Sequence, residues 1–351
     1  MVLCAYRHRM ADPSLPSSFA NCTYMASCCQ MECLLCIIAL CYLLPWRRTN
    51  LYLFPILRPM RKFCMRSVLF VTPMIIVLLA LEFYVRSLPS SYRQKEQWME
   101  EHASEVEVLL LGNSHGLFGL RPEVFPKKTY NLCNVSQIFE YDEFLLRRFL
   151  PKCSRLTDVF LIVDNSNLFD PPLEVSEDFR CTYYHLYMHY PKHSILSKYG
   201  FELSHIEAFK EKLIHGGDSC DSLGWNASYS KSTRDISNLS PSAVQVAIDH
   251  HSCKDWNYAE TNRQALVRIR DLCRQFHVRL ILLQAPVTHS YYYGVSQRQR
   301  DYLNNCCDID GVVRADYSLD ENFNEDDFYD PDHLVDTGAL KWSKLICDSF
   351  L

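Results

Sequence analysis

The chain has 351 residues, 48% of them apolar, and carries a net charge of −5 from 36 basic and 41 acidic side chains. That apolar content can bury a sizeable core and excludes a disordered chain. The charges are interspersed, with no basic face to track a phosphate backbone, so nucleic acid is not an expected partner.

Of the 17 cysteines, 8 lie within the first 64 residues and 9 run from Cys133 to Cys347. No CxxC pair is followed by a second pair or by an HxxxH, so a structural zinc site is not expected. Residues 1–59 are cysteine-rich, with a short apolar run from Cys33 to Trp46, and read as an over-extended start. An ordinary anchor would begin at Met60 or Met65.

Residues 60–86 form the expected anchor. Ser67 to Val85 (SVLFVTPMIIVLLALEFYV) is apolar but for Glu82 and about long enough to cross a bilayer. Arg58, Arg61, Lys62 and Arg66 precede it, and a positive flank stays cytoplasmic, which puts the bulk of the chain on the periplasmic or extracellular side. The alternative is a cleaved signal peptide, but no A-x-A-like site follows the run.

A polar linker is expected over residues 87–105, then one domain over 106–351. Val106–Leu111 (VEVLLL) reads as a buried strand that ends in the turn GNSHG. Thr129–Cys133 and Asp158–Val163 predict the second and third strands, with a helix over Gln137–Leu150 between them. Residues 169–258, rich in Tyr, His, Ser and Asp with one helical patch near Glu202–Ile214, read as an insertion lying over the sheet. The periodic helix Ala259–Phe276, a fourth strand Val278–Gln284, a fifth at Gly311–Asp316 and a closing helix Asp336–Phe350 follow. Strands alternating with helices predict a parallel sheet covered on both faces.

Two short motifs could carry chemistry. In Gly112-Asn113-Ser114-His115-Gly116 the chain must turn sharply out of a strand into a helix. That exposes the Ser114 hydroxyl at the sheet edge and turns the following backbone N–H groups toward a developing oxyanion. Serine needs a base, and Phe328-Tyr-Asp-Pro-Asp-His-Leu334 supplies one: Asp330 can orient His333 across a turn stiffened by Pro331.

Several other features compete with these. Ser is also a common helix N-cap. Gly217-Asp218-Ser219 copies a GDS triplet but follows no buried strand. Asp326, Asp327, Asp330, Asp332, His333 and Asp336 read as a solvated acidic loop around the base, since no D-x-D-x-D-G spacing is present. His115 and Asn113 are candidate substrate contacts, with first-turn decoration the plainer role for His115. The tyrosines Tyr183, Tyr184, Tyr187, Tyr190 and Tyr291–Tyr293 are expected to pack the insertion rather than stack on sugars. Four Asn-x-Ser/Thr sequons, at Asn21, Asn134, Asn226 and Asn238, are what chance supplies.

Ser114 in its GNS turn and Asp330-x-x-His333 near the other end resemble the SGNH (GDSL-like) hydrolase superfamily over the stretch from Val106 to Leu351. Behind a single anchor, the GNSH turn and the NLxNxSQ-like stretch Asn131–Gln137 are similar to membrane-anchored SGNH proteins of bacterial surface-polysaccharide clusters. The resemblance implies an α/β class fold, a three-layer α/β/α sandwich on a five-stranded parallel sheet of flavodoxin-like order. It further implies a Ser114–His333–Asp330 triad without cofactors, acting on an acylated glycan or another acyl ester. Asn134 falls where the family's second oxyanion donor would lie. Asn165 or Asn167 follows the third strand, but the GxND pattern is absent. The same triad serves an O-acyltransferase with a membrane acyl-donor partner, and a glycan-binding or assembly protein that kept the sandwich without turnover remains the non-enzymatic alternative.

Overall fold

A computed structural model describes residues 54–191 and 197–351; residues 1–53, including the apolar run Cys33–Trp46, lie outside the described residues. The chain divides into two compact units, Met1–Val77 and Leu78–Leu351. Helix α1 (Phe54–Ser87) is continuous through the expected anchor, and its stretch Arg61–Ser87 is long and apolar enough to cross a membrane. Pro73 is accommodated within it.

The second unit follows the alternation read from the sequence. Its order is α2 (Ser91–His102), β1 (Val108–Leu111), α3 (Ser114–Gly119), β2 (Thr129–Asn131), α4 (Phe139–Phe149), β3 (Asp158–Ile162) and α5 (Asn165–Phe169). Next come α6 (Leu173–Ser176), α7 (Asp178–Tyr187), α8 (Ile206–His215), α9 (Pro241–His250) and α10 (Trp256–Gln275). The chain finishes with β4 (Arg279–Gln284), α11 (His289–Gly294), α12 (Gln297–Cys307), β5 (Val313–Asp316) and α13 (Asp336–Phe350).

All five strands are parallel, in the order β2-β1-β3-β4-β5. This is the flavodoxin-like winding, and it places the topological switch between β1 and β3, where the chain leaves in opposite directions and a crevice opens at the carboxyl ends.

The residues of β1 and β3 are buried on both faces, which is why they read as unbroken apolar runs. Leu109, Leu111, Val159, Leu161, Leu280 and Leu282 face one core with α2, α4 and α10. Val108, Leu110, Phe160, Ile162, Ile281 and Leu283 face the other with α3 and α13, closed by the fully buried Trp342. Helices on both faces of one sheet make the three layers.

Residues 87–105, expected as a linker, contain α2, which buries Tyr92, Lys95, Glu96 and Met99. Their polar composition hid a helix whose inner face is half charged. The insertion does more than lie over the sheet. Its Cys181, Tyr183, Tyr184 and Met188 enter the first core, and Leu223 O accepts from Asn131 N at 2.9 Å on the β2 edge. A loop pairing with that edge closes it to other chains. All described cysteines are free thiols.

Candidate active site

Ser114 sits at the first turn of α3, immediately beyond β1, where the chain must reverse without room for side chains. Gly112 adopts φ +124°, and a Cβ there would come within 2.5 Å of Ile162 Cβ. A Cβ on Gly116 would meet Cys133 Sγ at 2.6 Å. Between these glycines Asn113 caps the helix: its side-chain oxygen accepts from His115 N at 3.1 Å, and its backbone oxygen accepts from Gly116 N and Leu117 N. The three N–H groups after Ser114 are thus engaged by Asn113, which corrects the expectation that they face an oxyanion.

The turn before α13 brings the base to this serine. His333 Nε2 lies 2.8 Å from Ser114 Oγ, across 219 residues of chain, and its Nδ1 lies 3.0 and 3.1 Å from the two oxygens of Asp330. Asp330 is itself fixed, because its Oδ1 accepts from Asp332 N and His333 N. The D-x-x-H spacing therefore closes a local turn that aims the imidazole. Phe118, Tyr229 and Tyr329 stack beside it, and Tyr229 meets the His333 ring edge-on at 5.3 Å.

A second set of residues extends the site. Asp332 Oδ1 is 3.4 Å from His333 Nδ1, while its Oδ2 is 3.4 Å from His115 Nε2 and 3.6 Å from His251 Nε2. His115 Nδ1 reaches Asp164 at 2.5 Å, Asp164 also accepts both Asn113 amide bonds, and His251 Nδ1 pairs with Asp170 at 3.3 Å. Carboxylates and imidazoles thus alternate from Asp170 through His251, Asp332 and His115 to Asp164, with His333 joined at Asp332. Asp164 directly follows β3, as Ser114 follows β1; the two lie on either side of the switch point. That parallel was the one sequence signal that could have found it.

Burial alone would lower the His115 pKa, but the Asp164 and Asp332 carboxylates override it and push it up to about 9. Burial works the same way on His333, and Asp330 and Asp332 raise it well above the ordinary value of 6.5. The carboxyls of Asp164 and Asp332 are held below their usual range, burial being outweighed chiefly by His115 for Asp164 and by His333 for Asp332.

A His115 raised from 6.5 to about 9 on folding contributes stability that is fully present below about pH 6.5. It is lost as pH rises through about 9, and the contribution is about 3 kcal/mol. The thermal unfolding temperature is expected to fall between pH 6.5 and 9.5, and His115→Gln to flatten that slope. An unchanged slope in the variant would remove His115 as its source.

The remaining candidates are placed as follows. Asn113 is fully buried and committed to His115 and Asp164, and His115 has both ring nitrogens paired, so neither side chain is open to substrate. Asn134 donates to Gln137 at 2.8 Å and leaves its own buried oxygen unpartnered. Asn165 likewise has an unpartnered buried oxygen. Asn167 closes a capping box with Asp164 and reaches Ile162 O.

Gly217-Asp218-Ser219 is structural: Asp218 accepts from the backbone and hydroxyl of Ser91 at the start of α2, and Gly217, at φ +89°, lies against Pro89 O. Tyr183, Tyr184 and Tyr291 are buried, in keeping with a packing role.

Among the described residues, two groups place three ligand-type atoms within 4.8 Å of one another: His115, Asp332 and His333, and Asp170, His250 and His251. In the first, every imidazole nitrogen already faces a carboxylate or the serine hydroxyl, and that pairing accounts for the cluster without an ion.

A groove of about 710 Å³ opens beside the triad between the insertion and the Asp330–His333 turn. Its walls carry Ser237, Asn238, Ser240, Ser242, His250 and His251, with Asp330 and His333 at its inner end.

No family model and no curated protein matches this chain. Among solved structures 16 chains match. One, from Streptococcus pneumonia and described as a candidate platelet activating factor, is 12% identical with a TM-score of 0.37, over 81% of this chain and 99% of that one.

Proposed function

We propose that this chain is an SGNH-type serine hydrolase that cleaves acyl esters, with an acylated cell-surface glycan as its substrate. The observation that carries the reading is the unbroken line from Ser114 Oγ through His333 to Asp330, at 2.8 and 3.0 Å, set at the carboxyl edge of the sheet.

His333 in its neutral form takes the Ser114 proton as the oxygen attacks the acyl carbonyl. Asp330 keeps the imidazole in the tautomer that presents Nε2 and stabilises the imidazolium that forms. The same imidazolium returns its proton to the departing sugar oxygen. Water, activated by His333, then releases the acid from Ser114; a sugar hydroxyl in that place makes the reaction a transfer. Asn134, whose amide spends one of its two N–H groups on Gln137, and Asn165 are the side-chain candidates to hold the oxyanion. Four hydroxyl or amide side chains along the groove suit a polyhydroxylated substrate better than a long apolar chain.

The test is labelling of the intact chain by a serine-reactive fluorophosphonate. The wild type is expected to label and Ser114→Ala to remain unlabelled. Equal labelling of both would take the nucleophile away from Ser114.

A further inference from the structure

Helix α8 is amphipathic the wrong way round for a water-facing helix. Its inner side is fixed by Ala208, fully buried, and by Lys212, whose ammonium pairs with Glu202 at 2.7 Å. The opposite side carries Ile206, Leu213 and Ile214, which are 60%, 45% and 73% exposed, with Phe209 at the margin and Lys210 among them. Residues 206, 209, 210, 213 and 214 share one helical face. Phe201, 45% exposed, adds to it. A contiguous apolar face of this kind marks a surface meant to be covered.

The structure also identifies what covers it. The last turns of α1 are held by the segment that leads into α8. Glu82 accepts from Glu202 N at 3.1 Å and from Leu203 N at 3.0 Å, and Arg86 donates to Gly200 O at 2.7 Å while pairing with Glu82. On the same turns Phe83 and Tyr84 are exposed, and tyrosine favours the headgroup level of a bilayer. A helix that leaves a membrane at Glu82–Ser87 therefore delivers Phe201 and α8 to the lipid surface.

We infer that α8 lies in the membrane interface, its apolar face of Ile206, Phe209, Leu213 and Ile214 in the headgroup and acyl boundary and Lys210 level with the phosphates. The domain is then docked on lipid through α8 and is not swung on a free tether. The inference rests on α1 being a membrane span, which its length and apolar composition allow.

The experiment uses the full chain reconstituted in phosphatidylcholine vesicles, with a photo-crosslinking benzophenone amino acid at position 214 or, for comparison, at 276. Phe276 is 36% exposed and precedes β4, at the opposite edge of the sheet from the carboxyl ends near which α2 begins. Carbonate extraction is run on the same vesicles. Retention of the chain with lipid adducts at 214 and only background at 276 is expected. Retention without a lipid adduct at 214, or with a protein adduct there in its place, overturns the docking alone. Release by carbonate overturns the span and the docked face together.

Discussion

Replacing His333 with alanine is expected to slow hydrolysis of p-nitrophenyl acetate by up to roughly 10⁶-fold, with the fold intact. The loss follows from geometry: Ser114 Oγ has His333 Nε2 at 2.8 Å as its base, and an unassisted serine is a poor nucleophile at neutral pH. The neighbouring carboxylates separate in the same assay. Asp330→Asn should cost about as much as losing a triad carboxylate costs elsewhere, up to roughly 10⁴-fold, because an amide at that position favours the wrong tautomer.

Asp332→Asn should cost far less but move the pH profile. His333 must be neutral to act, so activity rises with pH through a His333 pKa that its two carboxylates hold above 6.5. Removing the Asp332 charge lets that acid limb slide to lower pH. A limb that stays in place would exclude Asp332 as a contributor, and a His333→Ala enzyme that keeps its rate would remove the mechanism.

The second large effect is expected at Gly112. An alanine there would adopt φ +124° with its Cβ 2.5 Å from Ile162 Cβ, two penalties that no side-chain rotation relieves. Strain and overpacking together should cost about 2–4 kcal/mol, read as a lowered urea midpoint. Turnover should fall as well, by about 10²-fold, since the turn sets where Ser114 meets His333 and a displacement of about 1 Å is enough. Adding Ile162→Ala removes the Cγ1 contact at 2.9 Å but leaves the Cβ clash and the backbone strain, so it should restore little of the stability. Full recovery in the double variant would show that the turn tolerates the conformation and that the Ile162 Cγ1 contact alone was at fault.

The sheet was legible because β1, β3 and β4 are apolar over consecutive residues, as strands covered on both faces must be. The edge strands were less so. Regular pairing in β2 ends at Asn131 rather than Cys133, and β5 begins at Val313, exposed along much of its length. Ser114, Asp330 and His333 could be read because each belongs to a short motif whose turn is locally determined. Asp164, His251 and Asp170 could not. They come from three different connections, and only the winding of the sheet brings their side chains to His115 and Asp332.

The oxyanion expectation failed at Asn113, since a residue's preference for capping does not say which N–H groups it will occupy. The helices of the insertion were obscured by its Tyr, His and Ser content, whose apolar rings enter the core while their polar atoms find partners, as Tyr184 does with Gln137.

The 219 residues between Ser114 and His333 also set an order of events during synthesis. A nascent chain grown to residue 320 already holds the serine turn, β1 to β4 and the groove wall at Ser237–His251, yet it has no base. Domains are made from the amino end, and contacts this far apart close late. On the proposed mechanism Ser114 therefore lacks its base until the Asp330–His333 turn folds back against α3.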